Sequence, residues 1–181
     1  MADHDLTALW EEHCRCEFVT RDVDATMATM VEEPYVNHVP TMTGGVGHDQ
    51  LKRFYKYHFI GANPADMELM PVSRTVGADQ IVDEMIIRFT HTSEIDWLLP
   101  GVAPTGRKVE VPLVAIVHFR DGKVAHEHIY WDQASVLVQI GKLDPAGLPV
   151  AGVETVRKVV DKEQPSNALM RAWAGSEGKP L

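Results

Sequence analysis

The feature that most limits the fold of this chain is a change of hydrophobic period near Asn63-Pro64. Before it, apolar residues recur at helical spacing. Leu6, Leu9, Trp10, Cys14 and Phe18 share one face, with Glu11, Glu12, Arg15 and Glu17 between them. Asp22 stands as the N-cap of a second helix carrying Val23, Met27, Met30 and Val31, which Pro34 ends. An extended YVNHVPT follows, then GGVG, which reads as a turn into a third helix bearing Leu51, Phe54, Tyr55, His58 and Phe59. Beyond Pro64 the chain turns to β-branched and apolar runs: MELMPVSRTV, QIVDEMIIRFTHTSEIDWLL, KVEVPLVAIVHF and KVAHEHIYW. Helices segregated from an antiparallel meander define an α+β domain.

At 181 residues the chain holds one core of ordinary size. We expect the domain over residues 1–145, and over 146–181 an extension with a short helical stretch around Val153 to Val160 and a frayed tail. A net charge of -9 disfavours nucleic acid and anionic lipid as partners. No apolar run approaches the roughly 20 residues that span a bilayer, and the acidic start, MADHDLTALWEEH, does not resemble a secretory signal. Cys14 and Cys16 diverge by about 200° on a helix and lack CxxC spacing, which fits a reducing cytoplasm. GGVG lacks the GK[ST] ending and the GxGxxG spacing of phosphate loops.

The turn FRDGKV decides which polar side chains share a face. A two-residue loop pairs Arg120 with Lys123 and sets His118 opposite Ala125; a three-residue loop with a glycine bulge pairs Phe119 with Lys123. The second is favoured because it gathers His118 with His126, His128, Tyr130 and Asp132 and gives Gly122 the left-handed position. Such a face is either the wet side of the strand or the wall of a pocket. The apolar neighbours favour a pocket, where burial would raise the Asp132 carboxyl into the range of a general acid or base. His118, His126 and His128 could also offer three imidazoles to a metal, but no other motif supports one.

The segment WDQASVLVQIG, with GVAPTGRKVEV and FRDGKVAHEH upstream, resembles the SnoaL-like polyketide cyclases of the ketosteroid isomerase-like (nuclear transport factor 2-like) superfamily. The resemblance spans residues 5 to 143. It implies a cone-shaped α+β barrel, with a strongly curved antiparallel sheet around a long helix and a pocket between them. It also implies that Asp132 moves a proton beside a carbonyl with help from His118, that no cofactor or metal is needed, and that a homodimer forms through the outer sheet face.

A second resemblance, to limonene epoxide hydrolase, rests on Tyr35, Asn37, Asp96 and Asp132, but Glu94 stands where that enzyme has a bridging arginine. Among the remaining candidates, His38 could hydrogen-bond a substrate oxygen from the pocket wall or cap local backbone. Trp97, His128, Tyr130 and His58 could also touch substrate, although His58 fits core packing better. The sequence-level expectation is a small-molecule enzyme of isomerase, cyclase or lyase type acting on a hydrophobic carbonyl compound. The alternatives are epoxide or lactone hydrolysis by Asp132-activated water, and a non-catalytic ligand-binding or dimerisation module.

Overall fold

The computed structural model describes residues 4–180. The first helix, α1 (Leu6–Cys14), starts where the Asp5 carboxylate accepts the Ala8 N–H at 3.0 Å, and continues as a π-helical turn over Arg15–Thr20. The short α2 (Val23–Ala28) begins at Asp22, whose side chain accepts the Ala25 N–H as the sequence predicts. It ends six residues earlier than Pro34. Met30 and Val31 lie in β1 (Met30–His38), so the apparent helical stripe there is strand. Pro34 is tolerated because the pairing of β1 is interrupted between Met30 and Tyr35, where no ladder N–H is required.

GGVG is not a bare turn. Thr43–Val46 forms β2, antiparallel to β1, and a Cβ at Gly44 would lie 2.1 Å from the Val36 carbonyl oxygen. Then come α3 (His48–Phe54), running into a second π-helical turn over Tyr55–Phe59, and four long strands: β3 (Glu68–Val76), β4 (Gln80–Thr90), β5 (Lys108–Arg120) and β6 (Lys123–Trp131). The six strands form one sheet, order β2-β1-β6-β5-β4-β3, with every pair antiparallel except β1 with β6. The sheet is curved and unclosed, with the helices packed against it, so the α+β expectation holds and the barrel remains open.

Alternation along β5 assigns its two faces. Val109, Val111, Leu113, Ala115, Val117 and Phe119 are buried in the core with Trp10 and Leu51, whereas Glu110, Pro112, Val114, Ile116 and His118 lie on the outer face. Two further helices, α4 (Gln133–Gln139) and α5 (Glu154–Val160), both contact β5. Gln139 continues the ladder where β6 has ended: its Oε1 accepts the Glu110 N–H at 2.9 Å and its Nε2 donates to the Glu110 carbonyl at 2.8 Å. No helix of the described residues is long and apolar enough to cross a membrane.

Candidate active site

The hairpin register differs from the one favoured by sequence. Arg120 pairs with Lys123 across a two-residue loop, with Asp121 at φ 54° and Gly122 at φ 73°, the backbone of a type I′ turn. Ala125 is then an extra residue that shifts the register and returns His118 to a position opposite His126. The polar residues do share a face, but it is the outer one. His118 stacks on His126 (centroids 5.0 Å apart, planes 4° apart), His126 meets His128 at 5.1 Å, and Tyr35 sits edge-on to His128 at 5.4 Å. Among the described residues no group of three His, Cys, Asp or Glu is placed to hold a metal ion.

Asp132 is exposed and caps α4, accepting the Ser135 N–H at 3.1 Å. The expected concave-face pair of Asp132 and His118 is therefore corrected: alternation turns both away from the core. Tyr130 is 42% exposed, and Asn37 and Tyr35 alternate outward on β1. His58 is not a core residue; its Nδ1 lies 3.0 Å from Asp96 Oδ2 in a half-exposed pair. The four residues behind the epoxide hydrolase resemblance, Tyr35, Asn37, Asp96 and Asp132, do not line the cavity. Asp132→Ala should cost about 1 kcal/mol of stability as a lost N-cap, read as a lower urea midpoint. No change would remove the capping role.

The cavity lies between the helices and the concave face of the sheet, with about 40 Å³ of free space. Of the predicted residues, His38 and Trp97 line it. Its polar wall consists of groups outside the sequence-predicted site: Glu17, Glu127, Tyr55 and Cys14, with His13 behind them. Helical spacing carries Trp10, His13, Cys14 and Glu17 on one side of the first helix. Glu127 faces inward because it lies between two outward histidines.

His13 organises this wall. Its Nδ1 is 2.6 Å from Thr29 Oγ1, whose own proton goes to the Thr26 carbonyl at 2.6 Å, so Nδ1 must be the donor. Its Nε2 meets Glu17 Oε1 at 3.1 Å and Glu127 Oε1 at 3.3 Å. Burial alone would depress the imidazole, but the two carboxyl groups reverse this and push its pKa up to about 10. Burial raises the Glu17 carboxyl despite the opposing effect of His13. Tyr55 O–H points at Glu127 Oε1 from 3.5 Å, and burial holds that phenol well above its usual range.

His38 is the opposite case. Its Nδ1 donates to the Thr43 carbonyl at 3.3 Å, and burial pushes its pKa down to about 4, leaving a neutral ring with Nε2 as an acceptor. The two histidines predict opposite arms of a stability profile. His13 holds a proton in the folded state between pH 6.5 and about 10, where the unfolded chain has lost it, so stability falls as pH rises through that window. His38 stays neutral between about pH 4 and 6.5, where the unfolded chain binds a proton, so stability falls as pH drops. Urea unfolding at pH 5, 6.5 and 9 should peak near 6.5. His13→Gln should flatten the alkaline arm and His38→Asn the acid arm, whereas unchanged slopes would refute these protonation states.

A curved, mostly antiparallel sheet over helices, enclosing an apolar cavity with a few buried acids, defines a single-sheet α+β protein with an internal pocket. The SnoaL-like domain model matches residues 10–127, and the chain belongs to that family. The match ends at Glu127, before the segment around Asp132. AclR from Streptomyces galilaeus, a candidate hydroxylase, is 22% identical with a TM-score of 0.59, covering 76% of this chain and 85% of that one. A candidate SnoaL-like polyketide cyclase from a Jannaschia species is also 22% identical, with a TM-score of 0.56 over 80% of this chain and all of that one (100%). A Catenulispora acidiphila protein of ketosteroid isomerase-like fold is 17% identical, at TM-score 0.55 over 74% and 92%. These likenesses show the fold. No curated protein matches the sequence significantly.

Proposed function

We propose that this protein catalyses proton transfer beside the carbonyl of a small, mostly apolar molecule, as an isomerase or cyclase. The observation that carries the reading is the His13 imidazole set between two buried carboxyl groups on the wall of an apolar cavity. Two carboxyl groups on opposite sides of one imidazole can divide the work, one accepting a proton and the other donating one. Glu127, approached by His13 and Tyr55, is the base that takes the proton. Glu17, raised by burial, is the acid that returns one. His13 is a positioning residue, and His38 Nε2 accepts a hydrogen bond from an enol or hydroxyl of the substrate. The family and the polyketide cyclase named among its structural relatives support this class of chemistry.

The test needs no knowledge of the natural substrate. Small apolar ketones in D₂O should exchange their α-protons faster with the protein than without it, by nuclear magnetic resonance. A second reading, a non-catalytic ligand-binding module, draws on the small free space of about 40 Å³. Saturable ketone binding without exchange above the protein-free rate would select that reading and refute ours. The homodimer remains part of the proposal, using the exposed Tyr35, Val46 and Tyr130 at the β2–β1–β6 end of the sheet. A sedimentation mass near 20.2 kDa, that of one chain, would exclude it.

A further inference from the structure

The inner cavity holds only a few water-sized groups, whereas sites for organic ligands usually offer roughly 300–1,000 Å³. Immediately outside it, a groove of about 720 Å³ runs between the first helix and the β3–β4 hairpin. Cys14, Phe18, Leu69 and Met85 line both spaces, so these four side chains are the partition between them. Phe18 is the bulkiest of the four. It is half-buried, sits edge-on to Phe59 at 5.7 Å, and belongs to the π-helical turn Arg15–Thr20, which closes on Arg21 in a left-handed conformation at φ 52°.

Chemistry along the groove points to one kind of occupant. Val19, Met67, Leu69, Val72 and Met85 give it apolar walls. Its two arginines are already engaged: Arg15 makes two 2.7 Å bonds to Glu12, and Arg74 is held by Asp83 at 2.9 Å and by Glu11 at 3.1 Å. With no cation left over among the described lining residues, and with Glu11 on one wall and Glu68 on the other, a phosphate- or carboxylate-bearing tail would be repelled. We infer that the groove is the subsite for a neutral, elongated apolar portion of the substrate, whose reactive end passes Phe18 into the cavity. This inference rests on the cavity being the reacting site proposed above. Uniform binding of the tail outside would then hold the carbonyl against Glu127.

A series of 4-alkylphenols from methyl to octyl tests it, with binding followed by the fluorescence of Trp10 and Trp97, which both line the cavity. Affinity should rise about two- to four-fold per methylene. Val72→Asp, at an exposed position on one wall, and Val19→Asp, on the other, should each flatten that rise while leaving 4-methylphenol within two-fold. Either variant suffices if the other fails to fold. An affinity independent of chain length, a slope that survives both variants, or tighter binding of octyl sulfate than of 4-octylphenol would overturn the inference. Failure of the underlying reading looks different. In that case Glu127→Gln would exchange ketone α-protons as fast as the wild type, while the chain-length slope and its loss in Val72→Asp would remain.

Discussion

Glu127→Gln should lower the enzyme-catalysed rate of α-proton exchange by about 10²- to 10⁴-fold, the usual contribution of one general acid or base. Glutamine keeps the shape of the side chain and an acceptor for the Tyr55 hydroxyl, so ligand affinity should change far less than turnover. The same substitution removes one of the two carboxyl groups that raise His13, whose pKa should move down from about 10. Asp132→Asn is the informative comparison, because the sequence points to that residue and the proposed mechanism uses Glu127. As an exposed helix cap, Asp132 should be replaceable with activity within a few-fold of wild type. Exchange by Glu127→Gln within five-fold of wild type, or its loss in a folded Asp132→Asn, would reverse the assignment.

Asp83→Ala should lower the unfolding free energy by about 3 kcal/mol, the low end for breaking a buried ion pair because Arg74 keeps some access to water. Asp83 is 1% exposed and joins three elements. Its Oδ2 accepts Trp10 Nε1 from α1 at 2.8 Å, and both its oxygens accept the Arg74 guanidinium of β3 at 2.9 Å. Alanine leaves a buried indole N–H without a partner and leaves the Arg74 guanidinium only the exposed Glu11 carboxylate. Asp83→Leu combined with Arg74→Met should cost less than the sum of the single changes, since apolar replacement of both partners removes the stranded charge. Urea unfolding measures both. A loss below 1 kcal/mol in Asp83→Ala would show that the network does not hold the first helix to the sheet. Its position matters for the site, since the same helix carries His13 and Glu17.

The fold was legible because its signals are local. Helical spacing through Phe18, alternation through KVEVPLVAIVHF, and Asp22 before an apolar run are each read within one element, and each corresponds to a real helix, strand or cap. Where a local signal was ambiguous, tertiary context decided. Met30 and Val31 fit a helical stripe equally well, but β6 was available as a parallel partner for the chain there. For His38 and Trp97 the sequence leaves pocket wall and local packing equally open, and the docking of the helices puts both on the cavity.

The polar strand KVAHEHIYW shows what lay out of reach. Period-two alternation determines that His126, His128 and Tyr130 share one face and that Glu127 faces the other, and the sequence alone supplies that much. It does not say which face the helices cover. That choice depends on β5 turning Val117 and Phe119 into the core, and on a one-residue bulge at Ala125 whose effect spreads along the whole strand. The meeting of Glu127 with Glu17 and His13 is likewise a contact across more than a hundred residues, which no window along the chain contains. Sequence determined the elements, the caps and the partition of side chains between faces, because these follow from backbone geometry over a few residues. Only the tertiary structure decided which face became the cavity, because that is set by how the helices dock on the sheet.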